Sequence, residues 1–140
     1  MKDNLRSIYW DTSAVLSVLF KDSHTAEART WADEQGVHFI STLAYAETCA
    51  VMQRMQREDI LAEILTKATF EALEEGPWRR LNVWPDWAIV RPLSEKWSLR
   101  GADLWHLATA KSLQKDLPEL SLLTFDAQLL KAAQGEGLIH

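Results

Sequence analysis

RSIYWDTSAVLSVLF, residues 6–20, decides the fold. Its first part, RSIYW (6–10), reads as a short buried strand, and TSAVLSVLF (12–20) reads as a helix that Thr12 or Ser13 can cap. Between them stands Asp11, a carboxylate placed where the chain is most apolar. Strand, acidic turn and helix form the opening unit.

The same grammar continues outward. SHTAEARTWADEQ (23–35) has helix-forming composition, with Ala26, Trp31 and Ala32 as candidate buried positions and Gly36 as its stop. VHFIS (37–41) follows as a strand. TLAYAETCAVMQRMQR (42–57) and EDILAEILTKATFEALEEG (58–76) read as two amphipathic helices forming a hairpin, the second ended by Gly76 and Pro77. Its apolar face, with Ile60, Ile64, Leu65 and Leu73, is expected in the core, with part of it open to a partner helix. WRRLNVWPDWAIVRP (78–92) carries two prolines and no clean period, so it reads as loop and short helical pieces. LRGADLWHLATAKSLQKD (99–116) is a helix, LSLLTF (120–125) a strand, DAQLLKAAQ (126–134) a helix, and LIH (138–140) a short last strand. Apolar strands alternating with helices predict an α/β protein whose central, mainly parallel sheet is covered by helices on both faces.

The totals narrow the function classes. A length of 140 residues fits one compact domain, 1–140, with a real core. With 47% hydrophobic and 25% charged residues, and no run near the ~18 apolar residues that span a bilayer, a soluble protein without membrane contact is expected. The N-terminus lacks the apolar stretch of a secretory signal, which points to the cytoplasm, and the lone Cys49 cannot form an internal disulfide. A net charge of −5 excludes a polybasic nucleic-acid coat, so any nucleic-acid role must be local. The seven tryptophans are scattered, as core or interface residues would be.

Most of the acids, such as Glu58, Asp59, Glu63, Glu71, Glu74 and Glu75, belong to polar helix faces or helix ends. Asp11, Glu47, Asp103 and Asp126 do not, because each sits among apolar residues, where an isolated carboxylate is costly unless paired, protonated or metal-bound. Taken singly, Asp11 and Asp126 could be helix caps, Asp103 a first-turn acid and Glu47 an edge-of-core side chain. Taken together, Asp11 and Asp126 stand at the carboxyl ends of expected parallel strands, where open α/β sheets place their ligands. Four converging carboxylates need a cation. Hard oxygen donors without cysteine or paired histidines select Mg²⁺ or Mn²⁺, ions suited to activating water against a phosphodiester.

With those residues in view, the chain resembles the PIN-domain ribonucleases, specifically the VapC-type toxins of type II toxin-antitoxin pairs. YWDTSAVLSVL, STLAYAETCAV, LRGADLWHLATA and LLTFDAQLLKAA occur in the family's order and contexts. The resemblance implies a three-layer α/β/α PIN-like domain. It implies Asp11, Glu47, Asp103 and Asp126 as catalytic, metal-binding acids, with Thr12, Ser13 and Thr124 as supporting hydroxyls. It further implies Mg²⁺- or Mn²⁺-dependent endonucleolytic cleavage of RNA by an ion-activated water, a homodimer, and a small VapB-like antitoxin as partner. It is weakest over residues 77–98.

Arg54, Arg57, Arg79, Arg80, Arg91, Lys96 and Arg100 are candidates for phosphate contacts, Arg100 first because it adjoins Asp103. His106 completes a D-x-x-H spacing with Asp103, but no second such pair exists, so a hydrogen-bonded structural histidine is expected; His24, His38 and His140 have no partner spacing. Two rivals stand beside the nuclease. A haloacid dehalogenase-like phosphatase would need an aspartate two residues after Asp11, where the chain has Ser13. A catalytically inactive PIN-fold binding module would have no need of all four acids.

Overall fold

The structure, a computed structural model, describes residues 6–139. Along the chain run β1 (Arg6–Trp10), α1 (Thr12–Leu19), α2 (Thr25–Ala32), β2 (Gly36–Ser41), α3 (Thr42–Arg57), α4 (Glu63–Glu75), β3 (Trp78–Leu81), α5 (Trp87–Lys96), α6 (Gly101–Gln114), β4 (Ser121–Leu123) and α7 (Ala127–Gly135). The strands form one parallel sheet in the order β3-β2-β1-β4. None of the described helices is long and apolar enough to cross a membrane.

Strand alternation divides the interior in two. Ile8 and Trp10 of β1 face Ala14, Val15, Ala44, Met52 and Leu73, contributed by α1, α3 and α4. Tyr9, between them, faces the opposite way, into Leu93, Leu107, Leu129 and Ala132 of α5, α6 and α7. Ile8, Tyr9 and Trp10 are all but completely buried. Burying one large aliphatic side chain stabilises by roughly 1.5–3 kcal/mol, which draws β1 into the middle of the sheet and makes the architecture α/β/α. Gly36 lets β2 pass close to β1, since its φ is +152° and a Cβ would lie 2.3 Å from the Arg6 carbonyl oxygen.

Several local expectations are corrected. The stretch after Pro77 opens as a strand: β3 pairs with β2, His38 opposite Trp78, and the buried Trp78 meets Trp10 edge-on at 5.4 Å. α5 then continues through Pro92, held by Leu93 in the core, because packing outweighs the lost backbone bond. The helix expected from residue 58 starts only at Glu63, after a turn in which Asp59 takes φ 55°. Ile60, Ile64 and Leu65 are exposed at 63%, 77% and 54%; of the four residues expected in the core, Leu73 alone is buried there. The helix expected over 23–35 spans Thr25–Ala32, with Ala28 buried and Ala26 exposed. Among the tryptophans, Trp84 and Trp87 lie on the surface. No strand forms at 138–139; a single bond from the Leu122 N–H to the Leu138 carbonyl stands in its place, and His140 lies outside the described residues.

Candidate active site

At the carboxyl end of the sheet, β1 and β4 stop side by side and hand over to α1 and α7. Asp11 caps α1 and Asp126 caps α7, each accepting from the backbone N–H three residues on, Ala14 at 2.8 Å and Leu129 at 2.9 Å. Thr12 and Ser13 therefore do not cap α1. Their hydroxyls are freed for the site.

Asp11 is 2% exposed, and its carboxylate accepts from two hydroxyls besides the Ala14 N–H. Ser13 Oγ donates to it at 2.8 and 3.0 Å, and Thr124 Oγ1 at 2.5 Å; the Asp11 N–H in turn donates to the Leu123 carbonyl at 3.1 Å. The two hydroxyls also accept, Ser13 from the Phe125 N–H at 3.1 Å and Thr124 from the Asp126 N–H at 3.0 Å. They lock the two strand ends together. Burial pushes the Asp11 carboxyl up to about 6, against the opposing pull of the Thr124, Ala14 and Ser13 hydrogen bonds; the Asp103 charge adds to the rise.

Asp103, in the first turn of α6, is also raised, by burial first and then by the Asp126 charge; Arg100 opposes the rise and Glu47 adds to it. Arg100 is the residue before α6. It is the one member of the expected phosphate-binding set that stands near these acids among the described residues, with Nε 4.0 Å from Asp103 and Nη2 4.0 Å from Asp126. Its side chain is otherwise in solvent. Arg80 pairs with Glu74 over the Tyr45 ring, Arg91 with Glu95, and Lys96 with Glu136; Arg54, Arg57 and Arg79 are exposed. A cleft of about 360 Å³ opens between Ser98, Leu99, Arg100, Asp103, Asp126 and Gln128.

Glu47 reaches the group from α3. Its Oε1 accepts from Thr12 Oγ1 at 2.6 Å and lies 3.6 Å from Nε2 of the buried His106. His106 Nδ1 meets the Tyr9 hydroxyl at 2.6 Å, a buried contact beside the acids that the D-x-x-H spacing did not disclose. The period-two rule held the one available signal, since it puts Tyr9 on the same side of β1 as Asp11. Burial lowers the His106 imidazole to about 4, against the upward pull of Glu47, and raises the Tyr9 phenol well above its ordinary range.

The structure thus brings Asp11, Thr12, Ser13, Glu47, Arg100, Asp103, Thr124 and Asp126 to one end of the sheet. Hydroxyls and Arg100 space the carboxylates, and among the described residues no three His, Cys, Asp or Glu side chains close on a single metal-sized point. The group is made of hard oxygen donors, and neighbouring negative charge adds to the rise of Asp11 and Asp103, an arrangement that a divalent cation relieves.

Comparison with known proteins adds a family and a fold. A family model described as PIN domain matches residues 8–135. The fold is similar to that of VapC20 from Mycobacterium tuberculosis, described as a sarcin-ricin loop cleaving toxin, at 17% identity and TM-score 0.59 over 89% of this chain and 94% of that one. It is also similar to FitAcB from Neisseria gonorrhoeae, at 20% identity and TM-score 0.65 over 91% and 93% of the two chains. PAE2754 from Pyrobaculum aerophilum is similar at 18% identity and TM-score 0.58 over 94% and 87%. No curated protein matches the chain by sequence.

Proposed function

Since the chain belongs to the PIN domain family, we propose that it is a divalent-metal-dependent endoribonuclease, the toxin of a toxin-antitoxin pair. The observation that carries this reading is the meeting, at one sheet end, of four acids drawn from residues 11, 47, 103 and 126, with Asp11 buried and raised by burial and by Asp103. The similarity to a toxin described as cleaving the sarcin-ricin loop supports RNA as substrate. A small VapB-like antitoxin, a homodimer and a cytoplasmic site of action complete the proposal.

The donor set fits Mg²⁺ or Mn²⁺: Asp11, Glu47, Asp103 and Asp126 offer oxygen only. Bound there, the ion would supply the Lewis acidity that activates water and stabilises the leaving oxygen. The chain's own part is positioning. Ser13, Thr124 and the Ala14 N–H fix both oxygens of Asp11, so that carboxylate does not reorient on binding. Thr12 steers one oxygen of Glu47. Arg100, exposed to solvent beside Asp103 and Asp126, offers a guanidinium to a phosphate that the acids alone would repel. The phosphatase alternative lacks its second aspartate, and Ser13 spends its proton on Asp11.

Purified protein incubated with assorted RNAs should cleave in Mg²⁺ or Mn²⁺ and stop in EDTA. Asp11→Asn and Asp103→Asn should each lower the rate by roughly a hundred-fold or more. Parental cleavage by either variant would remove that residue from its role, and phosphate release without RNA cleavage would favour the phosphatase.

A further inference from the structure

We propose that Tyr9 and His106 are positioning residues, forming with Thr12 a buried hydrogen-bond chain that holds Glu47 in its metal-facing orientation. The inference rests on Glu47 being a ligand, as read above, and extends the site two residues into the core.

Four contacts carry it. Tyr9 Oη lies 2.6 Å from His106 Nδ1, His106 Nε2 lies 3.4 Å from Thr12 Oγ1 and 3.6 Å from Glu47 Oε1, and Thr12 Oγ1 donates to Glu47 Oε1 at 2.6 Å. The acidic end sets their direction. An ionised carboxylate only accepts, so the single proton of Thr12 goes to Glu47. Nε2 then faces two oxygens with no proton to give, and must carry the ring hydrogen itself. The neutral ring leaves Nδ1 as acceptor, and Tyr9 donates to it. The tautomer is set by what the far nitrogen meets, as in histidines whose outer partners orient a metal site.

Neither residue can act on substrate directly, because Tyr9 is 0% and His106 1% exposed. The Tyr9 ring also meets the imidazole edge-on at 5.6 Å, which restricts how the histidine can turn. Without the Tyr9 hydroxyl, Nδ1 is left buried with no donor and the ring loses the bond that holds its orientation, so the Nε2 hydrogen is no longer aimed at Thr12 and Glu47 and the carboxylate is free to turn.

The test is Mn²⁺ binding, followed by electron paramagnetic resonance of the free ion during titration of metal-free protein. Tyr9→Phe, which deletes one buried oxygen, should weaken Mn²⁺ about ten-fold. On a Glu47→Gln background, already weakened, the same change should add nothing. Parental affinity in Tyr9→Phe with a weakened Glu47→Gln would overturn the chain while leaving Glu47 a ligand. Equal loss on both backgrounds would also overturn it, assigning Tyr9 a general structural role. Parental affinity in Glu47→Gln would instead sink the ligand reading beneath it. Should Tyr9→Phe fail to fold, Thr12→Val breaks the chain at its half-buried link and is held to the same two criteria.

Discussion

Two adjacent residues of β1, pointing to opposite faces of the sheet, each hydrogen-bond a buried histidine, and the two pairs end differently. Trp10 Nε1 donates to His38 Nδ1 at 3.0 Å, and His38 Nε2 donates to the Glu34 carbonyl at 2.9 Å. That circuit closes on the backbone. Tyr9 and His106 on the other face lead to Thr12 and Glu47, a side chain partly open to solvent. Composition does not separate the two pairs, since each is an aromatic donor and an imidazole. What separates them is the partner of the second ring nitrogen. A carbonyl locked in a turn makes a structural histidine, and a carboxylate partly open to solvent makes one that can orient chemistry.

The largest effect that tests this contrast should come from pH on the Tyr9 side. The folded Asp11 carboxyl, at about 6, lies above its ordinary value of 3.8. A raised carboxyl contributes stability that is fully present below the unfolded value and lost as pH rises through the folded one. In metal-free protein, the parent should therefore gain on Asp11→Asn as pH falls from 7 to 4, by up to about 3 kcal/mol in urea unfolding. The comparison with Asp11→Asn is needed because His106, lowered to about 4, works the other way over the same window. A difference that stays flat or reverses would mean that Asp11 is not penalised by burial.

On the Trp10 side, His38→Leu leaves the Trp10 N–H buried without an acceptor, which should cost roughly 1–3 kcal/mol of stability. Mn²⁺ affinity should not move, and a matching loss of affinity would erase the distinction between the two histidines. The smallest effect is expected at the solvent edge. Arg100→Ala, at 4.0 Å from both of its acids and 87% exposed, should change stability by less than about 0.5 kcal/mol while weakening RNA binding. A large loss of stability would show that Arg100 is part of the framework.

How much of this was readable from residues alone follows the reach of the signals. Asp11 and Asp126 were legible because a carboxylate between an apolar strand and a helix is a local anomaly. β3 was not, since WRRL is short, lies at the sheet's edge and carries two exposed arginines, so it shows no apolar run. The start of α4 was misplaced because EDILA has helical composition, whereas the chain turns at Asp59. Ile60, Ile64 and Leu65 looked like core because apolarity does not say which side of a helix finds a neighbour. The roles of Thr12 and Ser13 came from the family likeness; their hydrogen-bond partners, and the link between Tyr9 and His106 across 97 residues, needed the tertiary structure.

The bond from Thr124 to Asp11 spans 113 residues, and it has a consequence for synthesis. Parallel pairing of β1 with β4 must wait for nearly the whole chain, and contacts this distant in sequence form slowly because loop closure comes first. A nascent chain on the ribosome therefore carries Asp11 without Thr124 and Asp103 without Asp126. Whatever the assembled carboxylates do, a partly made molecule cannot do it. The acidic group is complete only once β4 has paired with β1.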